Sequence, residues 1–442
     1  MNLYAALAYL DEHTNLEATA GRAEGLSLDR MRNLSHALGD PHLAFPVIHI
    51  TGTNGKGSVA RMCTELLKAS GLSVCTYTSP HLEVINERIA WDGEPISDED
   101  LAASIGAVAA VEELSGVTPS YFEILTAAAF SHFADVAVDV AVVEVGMLGR
   151  WDATNVVDAS VAVLTNVGRD HTDGQGDWRR AIADEKVGIV KPGATFVCGE
   201  SDPELRDLLA GTEAGVTWWR GDDFDADQSM VALGGRAVSL RTPTGTIDDV
   251  FVPLHGDHQA DNAAIALAAV EAFFDRRLDD EVVEEGFASV KVPGRFEVVM
   301  REPTVVLDAA HNLDGALACA ATLREEFTLA GSILMVVGFL DGRDPAEMLE
   351  ALDASDAGLL VACTPVSPRA VPAPAVAAAA EQMGLGAESI SSVEDALQRA
   401  LAVASADDLV LVTGSLYVVG PARAALGDLV EVGAADEAPD YD

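Results

Sequence analysis

The run Val47-Ile48-His49-Ile50-Thr51-Gly52-Thr53-Asn54-Gly55-Lys56-Gly57-Ser58 constrains this chain more than any other stretch. An apolar, β-branched run ends in a glycine-rich turn. A helical pattern then runs from Ser58 through Val59, Met62, Leu66 and Leu67 to Gly71. Strand, glycine-rich loop and helix N-terminus in that order make a phosphate cradle, because backbone N–H groups and the positive end of the helix dipole face the anion. Thr53, Asn54, Gly55, Lys56, Gly57 and Ser58 are therefore the nucleotide-binding candidates. Lys56 adds a point charge for the terminal phosphates, and the Ser58 hydroxyl is placed for Mg²⁺. The spacing departs from the common G-x-x-x-x-G-K-[ST] loop, since Gly57 stands between Lys56 and Ser58. The plainer alternative is a glycine-rich turn that merely opens a helix.

At 442 residues the chain exceeds one compact core and predicts two or three domains. Its apolar runs are short and broken by Gly, Asp or Pro, so no membrane helix is expected. Met1-Asn2-Leu3 leads straight into an amphipathic pattern without a basic region, so no signal peptide is expected either. The cysteines Cys63, Cys75, Cys198, Cys319 and Cys363 are scattered, which suits core thiols in a reducing, cytoplasmic compartment. Against 71 acids stand 27 bases, a net charge of −44. The acids are spread along the chain rather than blocked, which favours a solvated acidic surface over a basic partner. Such self-repulsion is tolerable in molar salt, so a salt-loving organism is expected. No basic stripe for nucleic acid exists. Among only five lysines, Lys56 and Lys186 stand out beside Gly55 and Glu185.

Before the loop, residues 3–13 and about 27–38 read as helices. After it, strands at 73–77, 136–145 and 160–166 alternate with helices, the order of a doubly wound α/β domain whose ligands sit at the carboxyl ends of the strands. Glu144 ends a buried strand, where a carboxylate is costly unless paired or metal-bound. Mg²⁺ coordination is the reading for it, a capped or salt-bridged Glu the alternative. His171 lies in a polar loop at another strand end, a candidate ligand or catalytic group. Residues 201–253 read as a small antiparallel excursion, with short runs at 216–220, 237–241 and 250–253. His255 and His258 suit a metal no better than helix-start polarity with a nucleotide contact. A boundary falls at Lys291-Val292-Pro293-Gly294-Arg295. The expected domains are 1–292, an ATP-binding domain, and 293–427, a Rossmann-like α/β domain, before an acidic disordered tail at 428–442. In the second domain, strands are expected at 305–309, 333–337, 359–364 and 409–412. Asp308 and His311 form a polar cluster after the first of them.

From the residues alone, this is an enzyme that uses MgATP, with the nucleotide between two α/β domains, and with Arg295, Asp308 and His311 available from the second. No G-x-S-x-G and no placed Cys suggests a nucleophile. The residues by themselves stop at phosphoryl transfer or ATP-driven ligation.

The chain resembles the folylpolyglutamate synthase/dihydrofolate synthase family, a branch of the Mur ligase superfamily, over roughly residues 1–425. The resemblance rests on Gly52–Ser58, Ser79-Pro80-His81-Leu82 with Glu87-Arg88-Ile89, and Phe122-Glu123-x-Leu125-Thr126. It continues through Glu144-Val145-Gly146 with Gly149-Arg150-x-Asp152-Ala153-Thr154-Asn155, Asp170-His171, Glu185-Lys186-x-Gly188-Ile189, Pro293–Glu297 and Asp308-x-Ala310-His311-Asn312. With the loop starting near residue 51, the N-terminal nucleotide-sugar domain of most muramyl ligases is not expected. Leu148 stands where the family has Gly, and Leu313 where it has Pro.

The resemblance implies that a pterin-bearing carboxylate takes the γ-phosphate of MgATP and that the amine of L-glutamate then displaces phosphate. It implies Ser58 and Glu144 at a first Mg²⁺ with Ser79 nearby. A second metal is implied on Glu144, His171 and Lys186, the lysine carboxylated and hence partly desolvated. Lys56, Lys186 and His311 are implied as catalytic. Asn262 and Arg295 would contact phosphates, Asp308 the ribose, and Phe122 and Asp152 the pterin. The implied partners are small molecules, dihydropteroate or folates and L-glutamate, acting on a monomer. A Mur-type peptide ligase with another acceptor is the alternative. A decayed ATP-binding module is disfavoured because Lys56, Glu144, His171 and Lys186 are all present.

Overall fold

The computed structural model describes residues 1–15, 17, 27–169 and 176–436. The chain divides into two compact units, residues 1–253 with 257–291, and residues 254–256 with 292–442.

The first unit is built on eight strands: β1 (Val47–Thr51), β2 (Val74–Tyr77), β3 (Ile89–Trp91), β4 (Glu94–Pro95), β5 (Val140–Glu144), β6 (Val161–Leu164), β7 (Thr195–Cys198) and β8 (Val216–Trp219). Their order is β4-β3-β2-β5-β1-β6-β7-β8. All pairs from β2 to β8 are parallel, and β3 and β4 add an antiparallel edge. Central strands β1, β5 and β6 are buried throughout, as continuous Val/Ile/Ala runs require when helices cover both faces. On one face, Val47, Tyr77, Ala141 and Val143 join Leu10, Met31, Leu34, Ile105, Ile124 and Phe130 in a single core. These come from helices Leu3–Asp11, Asp29–Ala37, Asp98–Ser115 and Tyr121–Asp135. The helix after β1, Lys56–Ala69, packs against β1, β2 and β5 and against helices Asp257–Phe274 and Asp280–Ala288. The strand order changes direction at β1, and the glycine-rich loop leaves its carboxyl end there, the usual ligand position in an open α/β sheet.

The antiparallel excursion is β9 (Asp225–Ala232), β10 (Gly235–Thr242) and β11 (Gly245–Val252), in the order β11-β10-β9. It differs from the expectation in one respect. Residues 216–219 extend the main sheet as its parallel edge β8, and the polar run Asp225–Ala232 takes the third place.

The second unit holds β12 (Glu297–Arg301), β13 (Thr304–Asp308), β14 (Ile333–Val337), β15 (Ala357–Ala362), β16 (Ala387–Ser389) and β17 (Leu409–Thr413), in the order β12-β13-β17-β14-β15-β16. Only β12 runs antiparallel. Helices Leu313–Glu326, Pro345–Ala351, Ala373–Gln382 and Val393–Val403 alternate with the parallel strands. Their core joins Phe296, Val306, Leu349, Leu360, Val376 and Leu411. The stretch expected as a tail from 428 is helical as far as Asp436, within Leu416–Asp436, and 437–442 lie outside the described residues. No helix among the described residues is long and apolar enough to cross a membrane.

Candidate active site

The loop after β1 takes its shape from two glycines. Gly52 has φ +155°, and a Cβ there would lie 1.8 Å from Thr165 Oγ1. Gly55 has φ +83°, and its Cβ would lie 2.5 Å from Asn262 Oδ1. Only glycine fits either position. The helix begins at Lys56, two residues earlier than its apolar pattern, so the Gly-Lys-Gly-Ser segment is its first turn. The end of β6 laces the loop in place. Thr53 N–H donates to Asn166 O at 3.0 Å and Asn54 N–H to Asn166 Oδ1 at 3.0 Å, while Thr165 Oγ1 donates to Asn54 O at 2.6 Å. Gly168 N–H donates to Thr53 Oγ1 at 3.0 Å. Thr165 and Asn166 were not singled out from the sequence. A Thr-Asn pair ending a buried strand was the available signal.

Over this first helical turn stands Glu144, at the end of β5 and 4% exposed. Lys56 Nζ lies 3.9 Å from Glu144 Oε1 and donates to Thr53 O at 3.2 Å. Ser79 N–H donates to Glu144 Oε2 at 3.3 Å. Gly57 lies beside the same oxygen, where an added Cβ would make only an ordinary contact at 3.6 Å, and the carboxylate faces the helix N-terminus. Glu144 and the buried Ser58 are oxygen donors of the kind Mg²⁺ prefers. Lys56, Gly57, Ser79 and Glu144 are thus brought together. No cluster of His, Cys, Asp and Glu with metal-binding geometry occurs among the described residues. His171, expected in such a cluster, lies outside them.

Beyond Glu144, the chain turns back on the segment that carries Lys186. Arg150 N–H donates to Glu185 O at 2.8 Å, and Arg150 Nη2 to Asp184 O at 2.8 Å. A Cβ on Gly149 would lie 2.7 Å from Lys186 O, and one on Gly188 would lie 2.4 Å from Arg150 Cβ. Asn155 Nδ2 donates to Arg150 O and Gly188 O, and Lys191 Nζ donates to Asn155. These two motifs, far apart in sequence, form one joint. Lys186, the last residue of helix Trp178–Lys186, is 4% exposed and so desolvated.

Asp152 is buried, and burial raises its pKa against the hydrogen bonds it accepts. These come from Met147 N–H at 2.8 Å, Thr154 N–H at 3.0 Å and Thr154 Oγ1 at 2.6 Å. Phe122 covers Gly146, where a Cβ would meet its ring at 2.4 Å, and packs near Tyr77 with ring centroids 5.9 Å apart.

The Ser-Pro-His-Leu loop is organised by the Glu87-Arg88 pair. The Glu87 carboxylate accepts N–H groups of Leu82, Glu83 and Val84 at 2.8, 2.9 and 2.8 Å. Buried Arg88 pairs with Glu17 at 2.7 Å, and its Nε donates to His81 Nδ1 at 2.9 Å. Burial, then the Arg88 charge, push His81 down to about 4.

In the second unit, Asp308 ends β13 and accepts Phe296 N–H at 2.9 Å and Ala310 N–H at 3.0 Å. Burial raises its pKa, and Arg295 opposes that. Arg295 Nη1 donates to Ala309 O at 3.2 Å, and His311 Nδ1 lies 3.1 Å from the same carbonyl. Asn312 caps helix Leu313–Glu326 through Gly315 N–H at 2.9 Å. Arg295, Asp308 and His311 therefore share one strand end. His255 is paired with Glu326 at 2.7 Å.

Residues 50–270 match the Mur ligase middle domain, and residues 294–416 the Mur ligase glutamate ligase domain. The dihydrofolate synthase/folylpolyglutamate synthase of Mycobacterium tuberculosis is 40% identical, with 91% of this chain and 90% of that protein aligned. The chain belongs to the folylpolyglutamate synthase/dihydrofolate synthase family of Mur ligases.

The ligase's fold agrees. It superposes on a crystal structure of M. tuberculosis folylpolyglutamate synthase complexed with ADP and AMPPCP with a TM-score of 0.88 at 38% identity, covering 96% of this chain and 98% of that one. A bifunctional folylpolyglutamate synthase/dihydrofolate synthase with Mn, AMPPNP and L-glutamate bound gives a TM-score of 0.84 at 31% identity, over 97% and 98% of the two chains. The ligase is thus an ATP-dependent enzyme of mixed α/β fold.

Proposed function

We propose that the ligase joins L-glutamate to dihydropteroate and to the γ-carboxylate of folates at the expense of MgATP. The observation that carries this reading is the convergence of Lys56 and the Glu144 carboxylate, 3.9 Å apart, on the first turn of the phosphate-loop helix. The relative solved with Mn, AMPPNP and L-glutamate supports it.

In this reading, loop residues Thr53–Ser58 with Asn262 and Arg295 hold the phosphates, and Asp308 holds the ribose. Lys56 neutralises charge that builds on the γ-phosphate. The acceptor carboxylate attacks that phosphorus, ADP leaves, and an acyl phosphate results. The glutamate amine then attacks the acyl carbon and expels phosphate, with His311 close to the γ-phosphate or the amine. Phe122 and Asp152 meet the pterin. Ser58 and Glu144, with Ser79 beside them, would hold a divalent cation, which would supply further charge neutralisation. A second cation would take Glu144, His171 and a carboxylated Lys186. Charge neutralisation and positioning, rather than covalent catalysis by the protein, carry the rate.

The test is phosphate release in molar KCl with MgATP and L-glutamate, in the presence of dihydropteroate, of a reduced folate, or of neither. Release with both acceptors is expected. Release with one alone restricts the enzyme to that activity. No pterin-dependent release overturns the assignment in favour of a Mur-type acceptor.

A further inference from the structure

His49 lies in the middle of β1, fully buried between β5 and β6, two residues before Thr51 and so on the same face of the strand. Both side chains reach the segment after β5. Thr51 Oγ1 donates to Leu148 O at 2.5 Å, and His49 Nε2 lies 2.9 Å from Thr154 Oγ1. The direction of the second bond follows from counting protons. Thr154 has one hydroxyl hydrogen, and at 2.6 Å that hydrogen is committed to Asp152 Oδ1, a carboxylate that can only accept. Thr154 Oγ1 must therefore accept from His49, which fixes the Nε2–H tautomer. His49 Nδ1 is then a bare lone pair, and it has no partner. Burial and the Lys191 charge hold the ring neutral, with a pKa of about 3, so only one N–H is available and the relay has one direction.

We propose that His49 is a positioning residue for the acceptor site, acting through Thr154 on the Asp152 carboxylate. This rests on the reading that Asp152 meets the pterin. The relay orients one Asp152 oxygen from the strand that also delivers the phosphate loop. The other oxygen is held by Met147 N–H at 2.8 Å. A ring that merely filled space would need no donor aimed at Thr154, and burying one without need is costly.

The experiment compares His49→Leu, His49→Gln, Thr154→Val, Thr154→Ser and Asp152→Asn in steady-state kinetics with dihydropteroate and ATP varied separately. Gln places a side-chain N–H near the position of Nε2, and Ser keeps the hydroxyl. Expected is a rise of ~10-fold or more in KM for dihydropteroate in His49→Leu and Thr154→Val, with KM for ATP within ~2-fold of wild type. His49→Gln and Thr154→Ser should recover most of the loss. The double variant His49→Leu/Thr154→Val should be no worse than the poorer single one, as members of one network require. If Asp152→Asn raises KM for dihydropteroate while His49→Leu shifts both KM values together or neither, the relay is overturned and the Asp152 reading stands. If Asp152→Asn leaves that KM unchanged, the Asp152 reading falls and the relay with it. Should His49→Leu fail to fold, the Thr154 pair makes the same comparison.

Discussion

Thr51 Oγ1 donates to the carbonyl of Leu148 at 2.5 Å, and Leu148 holds that carbonyl in place with a φ of +59°. The left-handed conformation costs a residue with a Cβ about 1–2 kcal/mol. Glycine is the residue that the family resemblance implies here. Leu148 offsets part of the cost because its half-buried side chain packs against the cluster of Val145, Ile182 and Ile189. Leu148→Gly trades that packing for relief of strain and should leave stability within ~1 kcal/mol of wild type. Leu148→Val keeps more apolar surface yet places a β-branched residue at positive φ, and should be the less stable variant. Urea unfolding of both decides this. A more stable Val variant would mean that packing, not backbone conformation, governs the turn.

Glu144→Gln keeps the shape and the acceptor for Ser79 N–H but removes the charge beside Lys56 and the proposed Mg²⁺. Activity should fall ~10²-fold or more, with the Mg²⁺ requirement raised ~10-fold or more and the far-UV circular dichroism unchanged. A variant with ordinary Mg²⁺ dependence would exclude Glu144 as a metal ligand.

The joint between the Arg150 and Lys186 segments depends on Gly188. A Cβ there would stand 2.4 Å from Arg150 Cβ and 2.7 Å from its Cα, so one chain must move. Gly188→Ala should cost ~1–3 kcal/mol and impair catalysis by displacing Lys186. Gly386→Ala, where nothing lies within 4 Å, is the control and should not lose stability. Equal melting temperatures for the two variants would contradict the tight packing.

His81 gives a pH dependence with a definite sign. Its folded value is about 4, set by burial first and Arg88 second, with Glu87 and Glu17 opposing. The unfolded chain protonates near 6.5. Between these values the unfolded state binds more protons, so stability is fully present above about 6.5 and falls as pH drops towards about 4. His81→Asn cannot take up that proton. Between pH of about 7 and about 5, wild type should lose more unfolding free energy than the variant. Parallel losses would show that His81 does not titrate as its surroundings dictate.

How much of this was legible in the sequence follows the range of the interactions. The loop at 51–58 and its helix are local, and strand, glycines and helix were all readable. So were β1, β2, β5 and β6 of the first unit and β13, β14, β15 and β17 of the second, whose apolar runs are self-announcing, whereas parallel β7 was missed and parallel β8 was assigned to the antiparallel excursion. Polar β9 was not readable, since its half-exposed positions carry no apolar run, and three-residue β16 was too short to register. Contacts that build the site from distant pieces left almost no local trace. Asn54 meets Asn166 across 112 positions, His49 meets Thr154 across 105, and Arg88 meets Glu17 across 71. The motif residues Asn155, Gly188 and Glu87 were recognised only as members of a pattern. Their shared task, joining backbone segments through hydrogen bonds, appears once those segments are adjacent.

The net charge of −44 sets the last prediction. Salt screens attraction and repulsion alike, so the sign depends on which is larger. Exposed pairs such as Arg277–Asp280 and Arg206–Asp222 gain at most about 1 kcal/mol each and lose less than that to screening. Repulsion among 71 acids facing 27 bases is collective and falls away as the Debye length shrinks from ~10 Å at ~0.1 M to ~3 Å at ~1 M. Raising KCl over that range should therefore raise the melting temperature. Replacing exposed acids far from the site, such as Glu284 and Glu350, with Gln should shrink the salt dependence while raising stability at low salt. A melting temperature that fell with KCl would mean that the ion pairs outweigh the acidic surface.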